Sequence, residues 1–245
     1  LQSIFIADEG HLFLECDQSQ AEARVVAHLA DDKELLHLFD TVDIHRFTAA
    51  LCIRQLYPQN ITEEVMKSIG EDERYLGKTL RHAGNYGMQK RRLMTEIMTG
   101  ARRAKINVTI SEWKANQILE RFHKFTPRIR GVFHKEVIEV LNTNDAVIYN
   151  PFGRRREFFG RLDESTYNEA FAQIPQSTVG DWTKIAGLAI KRRIPEIRVV
   201  MEAHDALKFC IPEDKIESYA RVIQEEFTRP IDFTTCSVSR GSLII

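Results

Sequence analysis

Two acidic residues in this chain stand where strands are expected to end. Asp17 closes the alternating apolar stretch that runs through Leu12, Leu14 and Cys16, and Asp205 lies near the tip of a candidate hairpin, "RVVMEAHDALKFCIP". Far apart in sequence, the two could meet on neighbouring strands of one antiparallel sheet. Divalent cations held between two such carboxylates can activate a 3′-hydroxyl, stabilise a leaving pyrophosphate and bridge the phosphates of an incoming nucleotide. Mg2+, a hard cation that prefers oxygen ligands, suits this donor set. Taken singly, each Asp is equally well read as a turn residue at a strand end.

A second constellation is helical. Lys78, His82 and Tyr86 recur at four-residue intervals, so successive side chains on a helix of about 3.6 residues per turn are offset by only about 40°. One face then carries two basic side chains and an aromatic ring. A neutral imidazole brings one donor and no net charge; the neighbouring Arg81 is the alternative cation, although it points about 100° away from the face that carries the three. An ordinary solvated helix face has the same look. The basic triplet Arg154, Arg155 and Arg156 suits phosphate oxygens, although a bare basic triplet is most often solvated surface. "GKT" at residues 77–79 resembles the end of a P-loop, but Asp72 stands where that motif needs Gly and no strand leads into it.

The elements that must position these groups follow from periodicity. Strands are expected around Phe5 and through Cys16, then a helix from Ala21 to Leu38. From Asp43 to Leu141 the pattern is almost wholly helical, with a segment opening near Thr62, a long one from Arg74 to Met98, and one capped by Ser111 and ended by Pro127. Extended texture returns at "AVIYNPFG", followed by a helix from about Glu169 to Arg192, the hairpin, a helix from Glu213 to Phe227 and a terminal strand. The expectation is an α+β fold, an antiparallel sheet with a large helical insertion.

Composition narrows the class without naming a partner. The 245 residues, 43% hydrophobic, can fill an ordinary core, and 34 basic against 35 acidic residues leave any nucleic-acid surface to local clustering. Cys16, Cys52, Cys210 and Cys236 lack metal-binding or disulfide spacing, which favours reduced thiols and a cytoplasmic setting. No apolar run of about 18 residues points to a membrane, and no signal peptide is recognisable. The start at Leu1 without Met and the close inside strand-like "GSLII" read as a piece of a longer protein.

Several ordered words then converge on one family. "DQSQAEAR" (residues 17–24) resembles the first palm motif of family A DNA polymerases, D-x-S-Q-x-E-x-R; "AHDAL" (203–207) resembles their third, whose core is His-Asp; "KTLRHAGNYG" (78–87) resembles their fingers helix. "DIHR", "NPFGRRR" and "IPQST" are similar to intervening words of that family, in the same order. The chain is identified as a phage-like member represented by palm and fingers in a right-hand architecture: residues 1–40 the first part of the palm, 41–147 the fingers, 148–245 the second part of the palm.

That resemblance implies template-directed DNA synthesis on a primer-template with deoxynucleoside triphosphates, through two Mg2+ ions held by Asp17 and Asp205. It places Ser19 and Gln20 beneath the triphosphate and Glu22 against the sugar, where it would exclude a 2′-hydroxyl. It assigns His45, Lys78 and His82 to phosphates, Tyr86 to stacking on the nucleotide, and Arg154, Gln176 and His204 to DNA. The family commonly has Arg and Lys at the two basic positions of the fingers helix and a second tyrosine four residues after the stacking ring; here Lys78, His82 and Lys90 occupy those places. Ala206 stands where the third motif usually has Glu. A non-catalytic nucleic-acid-binding remnant and a two-metal nuclease are the competing readings. The family's thumb and 3′–5′ exonuclease are expected outside these residues, on the same chain, on another, or nowhere.

Overall fold

The computed structural model describes residues 6–103, 110–203 and 205–245. In chain order its elements are β1 (His11–Asp17), α1 (Ala21–Leu29), α2 (Lys33–Thr41), α3 (Ile44–Thr48), α4 (Glu63–Ser68), α5 (Glu71–Asn85), α6 (Lys90–Arg103), α7 (Glu112–Phe125), α8 (Lys135–Thr143), β2 (Val147–Tyr149), β3 (Arg155–Glu157), α9 (Glu164–Arg193), β4 (Arg198–Ala203), β5 (Ala206–Pro212), α10 (Ile216–Phe227), β6 (Ile231–Asp232) and β7 (Ser242–Leu243). The fold is α+β. Its contacts divide it into two units: one of Leu1–Val25, Tyr149–Arg154 and Ile174–Ile245, the other of Val26–Ile148 and Arg155–Gln173.

The first unit is built on a three-stranded antiparallel sheet in the order β1-β5-β4. Alternation along β5 sends Leu207, Phe209 and Ile211 into a core shared with Ala186, Ile190, Tyr219, Ile223 and Phe227 of α9 and α10, and Leu14 and Cys16 pack onto it. Each such fully buried side chain stabilises the fold by about 1.5–3 kcal/mol. Glu15 and Asp17 fall on the opposite face of β1, where Glu15 pairs with Lys208 at 2.9 Å. The period of two that fills the core therefore also delivers Asp17 to solvent.

The second unit is helical. Asp43 caps α3 by accepting from the backbone N–H of His45 and Arg46 at 3.0 Å each, and the Arg74 Nε of α5 donates to the same carboxylate at 2.7 Å. Helix α5 crosses α3 at Gly77, where a Cβ would collide with the His45 carbonyl oxygen. Only glycine permits that approach.

Two expected helices are each broken in two. The periodic stretch from Ala21 to Leu38 divides because Asp31 turns left-handed (φ 51°) and Asp32 caps α2, accepting from Leu35 N–H at 3.0 Å. The stretch from Arg74 to Met98 divides at Gly87, whose φ of 70° ends α5. Helix α9 begins earlier than expected and runs through Pro175. Ser111 does cap α7, accepting from Lys114 N–H at 3.2 Å. The strand expected around Phe5 lies outside the described residues.

Candidate active site

The sheet of the first unit brings the two acids together. Asp17, the last residue of β1, pairs with Ala206, the first residue of β5, and the ladder continues one step to a hydrogen bond from Gln18 N–H to the Asp205 carbonyl at 3.2 Å. Asp17 is exposed and Asp205 half-buried, at adjoining ends of paired strands. Beside them, burial and the Asp17 charge push the Cys16 thiol up to about 11, so it stays protonated. Among the described residues no group of three or more His, Cys, Asp or Glu side chains gathers as a metal site. Two carboxylates still fit Mg2+, which commonly takes one or two from the protein and fills its shell with phosphate oxygens and water.

The chain passes directly from this strand end into α1. Gln20 adopts φ 59°, a conformation that is costly for a residue with a Cβ and that concentrates at functional sites. The Ser19 carbonyl accepts from Arg24 Nε at 3.2 Å, tightening the turn. Glu22 lies half-buried in the first turn of α1, where the helix dipole favours a carboxylate.

In the same unit the "NPFGR" turn is tied to α9. Asn150 Oδ1 accepts from the N–H of Phe152 and Arg154 at 2.9 Å each, while its Nδ2 donates to Asp181 at 2.8 Å. Arg154 grips Asp181 with two donors, and that hydrogen bond first of all holds the Asp181 carboxyl below its ordinary range. Gln176 is exposed on α9, one turn before Asp181. Sequence reading missed Asn150 and Asp181; the Asn-Pro-x-Gly turn was the available signal. His204 lies outside the described residues.

The second unit carries the stripe. Lys78 is exposed, and His82 and Tyr86 are half-buried with ring centroids 6.3 Å apart. The stripe extends one turn further back to Arg74, half-exposed and fixed by Asp43. Burial works to raise the Asp43 pKa, yet the Arg74 hydrogen bond and the backbone donors hold it below the usual carboxylate range. His45 is buried; burial, then the charges of Arg81 and Arg74, pull it down to about 3, so its ring is neutral at neutral pH. Arg81 is enclosed and bonded to Thr48, which removes it as a direct phosphate ligand.

A family model settles the kinship: DNA polymerase family A matches residues 1–238. The chain belongs to that family. It is 29% identical over 234 residues to the thermostable DNA polymerase I of Thermus aquaticus, covering 92% of this chain and 26% of that protein. With DNA polymerase I of Helicobacter pylori (strain ATCC 700392 / 26695) the identity is 27% over 230 residues, covering 90% of this chain and 23% of the relative. This family A chain thus spans about a quarter of the length of the curated relatives it matches. The POL domain of Pol1 from M. smegmatis, solved in complex with DNA primer-template and dNTP, shares its fold: TM-score 0.68 and 22% identity over 91% of this chain and 37% of that one.

Proposed function

We propose that the chain supplies the palm and fingers of a template-directed DNA polymerase, the first unit acting as palm and the second as fingers. The observation that carries this is the meeting of Asp17 and Asp205 at adjoining ends of β1 and β5 in a chain of family A. Asp17 and Asp205 would hold two Mg2+ ions, which when bound supply Lewis acidity to the primer 3′-hydroxyl and to the phosphates. The protein's own groups do the rest. Ser19 and Gln20 underlie the triphosphate, Glu22 bars a 2′-hydroxyl, Arg154 and Gln176 contact the DNA, and His204 is assigned to DNA by its place in the third motif alone.

On the fingers, the stripe is best read from Arg74. Counted that way, Arg74 and Lys78 fill the two basic positions with the residue types the family commonly uses, the His82 ring takes the stacking position, and Tyr86 falls where a second tyrosine is usual near the template base. Counted from Lys78, the same positions hold Lys, His, Tyr and Lys90. The earlier register removes three departures and leaves one, His for the stacking ring. His45 contributes a neutral donor beside these cations.

The experiment is primer extension by the chain in Mg2+ with all four deoxynucleotides, on a primer-template with a single-stranded 5′ overhang. Extension that stops at the template end supports the proposal. Loss of primer nucleotides without added deoxynucleotide would indicate a nuclease instead, and binding with neither reaction a non-catalytic remnant.

A further inference from the structure

Among the described residues Arg81 is a buried cation with no ion partner. It is 1% exposed, its Nε and Nη2 donate to the Thr48 hydroxyl at 3.1 and 2.7 Å, and its Nη1 has no hydrogen-bond partner among the described residues. The rings of Phe39 and Phe122 lie 5.6 and 5.3 Å from Cζ. Burial draws the guanidinium down to about 10, with Cys52 and Asp32 acting on it only through space, so it keeps its charge at neutral pH.

A desolvated charge held by one hydroxyl and two ring faces is an expensive way to fill a core. An apolar side chain of similar volume is commonly neutral or stabilising at such a position. Stability alone therefore gives no reason for Arg81. Its location does: it belongs to the same stretch of α5 as Lys78 and His82, and Thr48, its partner, follows His45 by three residues on α3.

We propose that Arg81 is a buried determinant of triphosphate affinity, its fixed charge beneath α5 adding to the attraction that the Arg74–Lys78–His82 stripe exerts on a nucleoside triphosphate. The inference rests on the reading of that stripe as the triphosphate site. The charge acts through a medium of low dielectric that salt screens weakly, so it differs in kind from the exposed cations around it. It touches no phosphate.

The test compares the parent chain with Arg81→Met and Arg81→Gln, titrated without added metal with dATP and with dAMP at low and high salt, with thermal melts alongside. Arg81→Met is expected to melt no lower than the parent. Its Kd for dATP should rise about ten-fold, the order expected when one weakly screened unit charge is withdrawn from the neighbourhood of the anion. Affinity for dAMP, with about half the charge of free dATP, should change by only about three-fold, because the attraction scales with ligand charge. The ratio of variant to parent Kd should persist at high salt. Arg81→Gln, which keeps a donor for Thr48, should show the same pattern and carries the comparison if Arg81→Met does not fold. Neutral variants that bind dATP as the parent does overturn the proposal, as does a parallel loss of dATP and dAMP binding with a lowered melting temperature, which marks a structural role. A parent that binds no dATP overturns the stripe reading itself, and the parent's own titration separates that failure from one confined to Arg81.

Discussion

The backbone N–H of Gln18 donates to the carbonyl of Asp205, one step past the point where Asp17 pairs with Ala206. Backbone pairing of β1 with β5 brings both acids to one end of the sheet. Asp17→Asn and Asp205→Asn should accordingly keep stability within about 0.5 kcal/mol of the parent. Nucleotide addition should fall below about one per cent in either variant, since on the proposed reading each removes a metal ligand, while primer-template binding persists because it depends mainly on phosphate contacts. Thermal melts, primer extension and salt-dependent DNA binding measure the three quantities. Appreciable extension by either variant in Mg2+ would exclude the two-metal assignment.

Much of this was legible because alternation and helical spacing act locally. The alternation through Leu12, Leu14 and Cys16 dictates which face of β1 is buried, and it places Asp17 on the other. What could not be read is what depends on contacts between distant elements. Nothing near Arg81 in sequence announces that Thr48, Phe39 and Phe122 will enclose it. The register of the stripe, by contrast, needs no distant contact: Arg74, Lys78, His82 and Tyr86 already stand at four-residue intervals in the sequence. The helix breaks at Asp31 and Gly87 were hidden for another reason: apolar spacing continues across both, while the left-handed φ that stops the helix is a property of single residues.

The register of the stripe is open to a direct experiment. A phenol hydroxyl at the stacking position can replace the hydrogen bond that a dideoxynucleotide's missing 3′-hydroxyl no longer makes, and one bond to a charged acceptor is worth roughly 1.5–3 kcal/mol, about ten- to a hundred-fold in selectivity. If Arg74 begins the stripe, His82→Tyr should raise acceptance of dideoxynucleotides and Tyr86→Phe should leave it unchanged. Competition between dideoxy- and deoxynucleotides in primer extension reads the ratio. A strong drop for Tyr86→Phe with no gain for His82→Tyr would restore the register that begins at Lys78.

Glu22 should act on the sugar and not on the base. Glu22→Ala is expected to raise incorporation of ribonucleotides relative to deoxynucleotides by about ten-fold or more, because a steric exclusion is lifted. Losing a carboxylate from the first turn of α1 should also cost about 0.3–1 kcal/mol of stability. Single-nucleotide incorporation with matched ribo- and deoxyribonucleotides decides the matter. An unchanged ratio removes Glu22 from the gate.

The second unit should weaken in mild acid, and His123 is the residue that shows it most simply. Its ring is buried, makes an edge contact with Phe122 at 5.2 Å, and has no hydrogen-bond partner at either nitrogen among the described residues. Burial, then the charges of Arg130 and His134, lower its pKa to about 3. In the unfolded chain a histidine takes up a proton near pH 6.5. The folded state refuses that proton until about pH 3. The unfolded state therefore binds more protons throughout this window, and the stability that neutral His123 permits is fully present above pH 6.5 and is lost progressively as pH falls. His45 and His134, lowered to about 3 and about 4 with burial as the first cause, contribute in the same direction. Between pH 7 and pH 5 the loss from one such residue is about 2 kcal/mol. His123→Leu, which fills the site without a titrating group, should equal or exceed the parent at pH 7 and gain on it by about that amount at pH 5. Denaturant melts of both proteins at the two pH values measure the difference, and an advantage of the same size at each would show that His123 is not protonated on unfolding in this range.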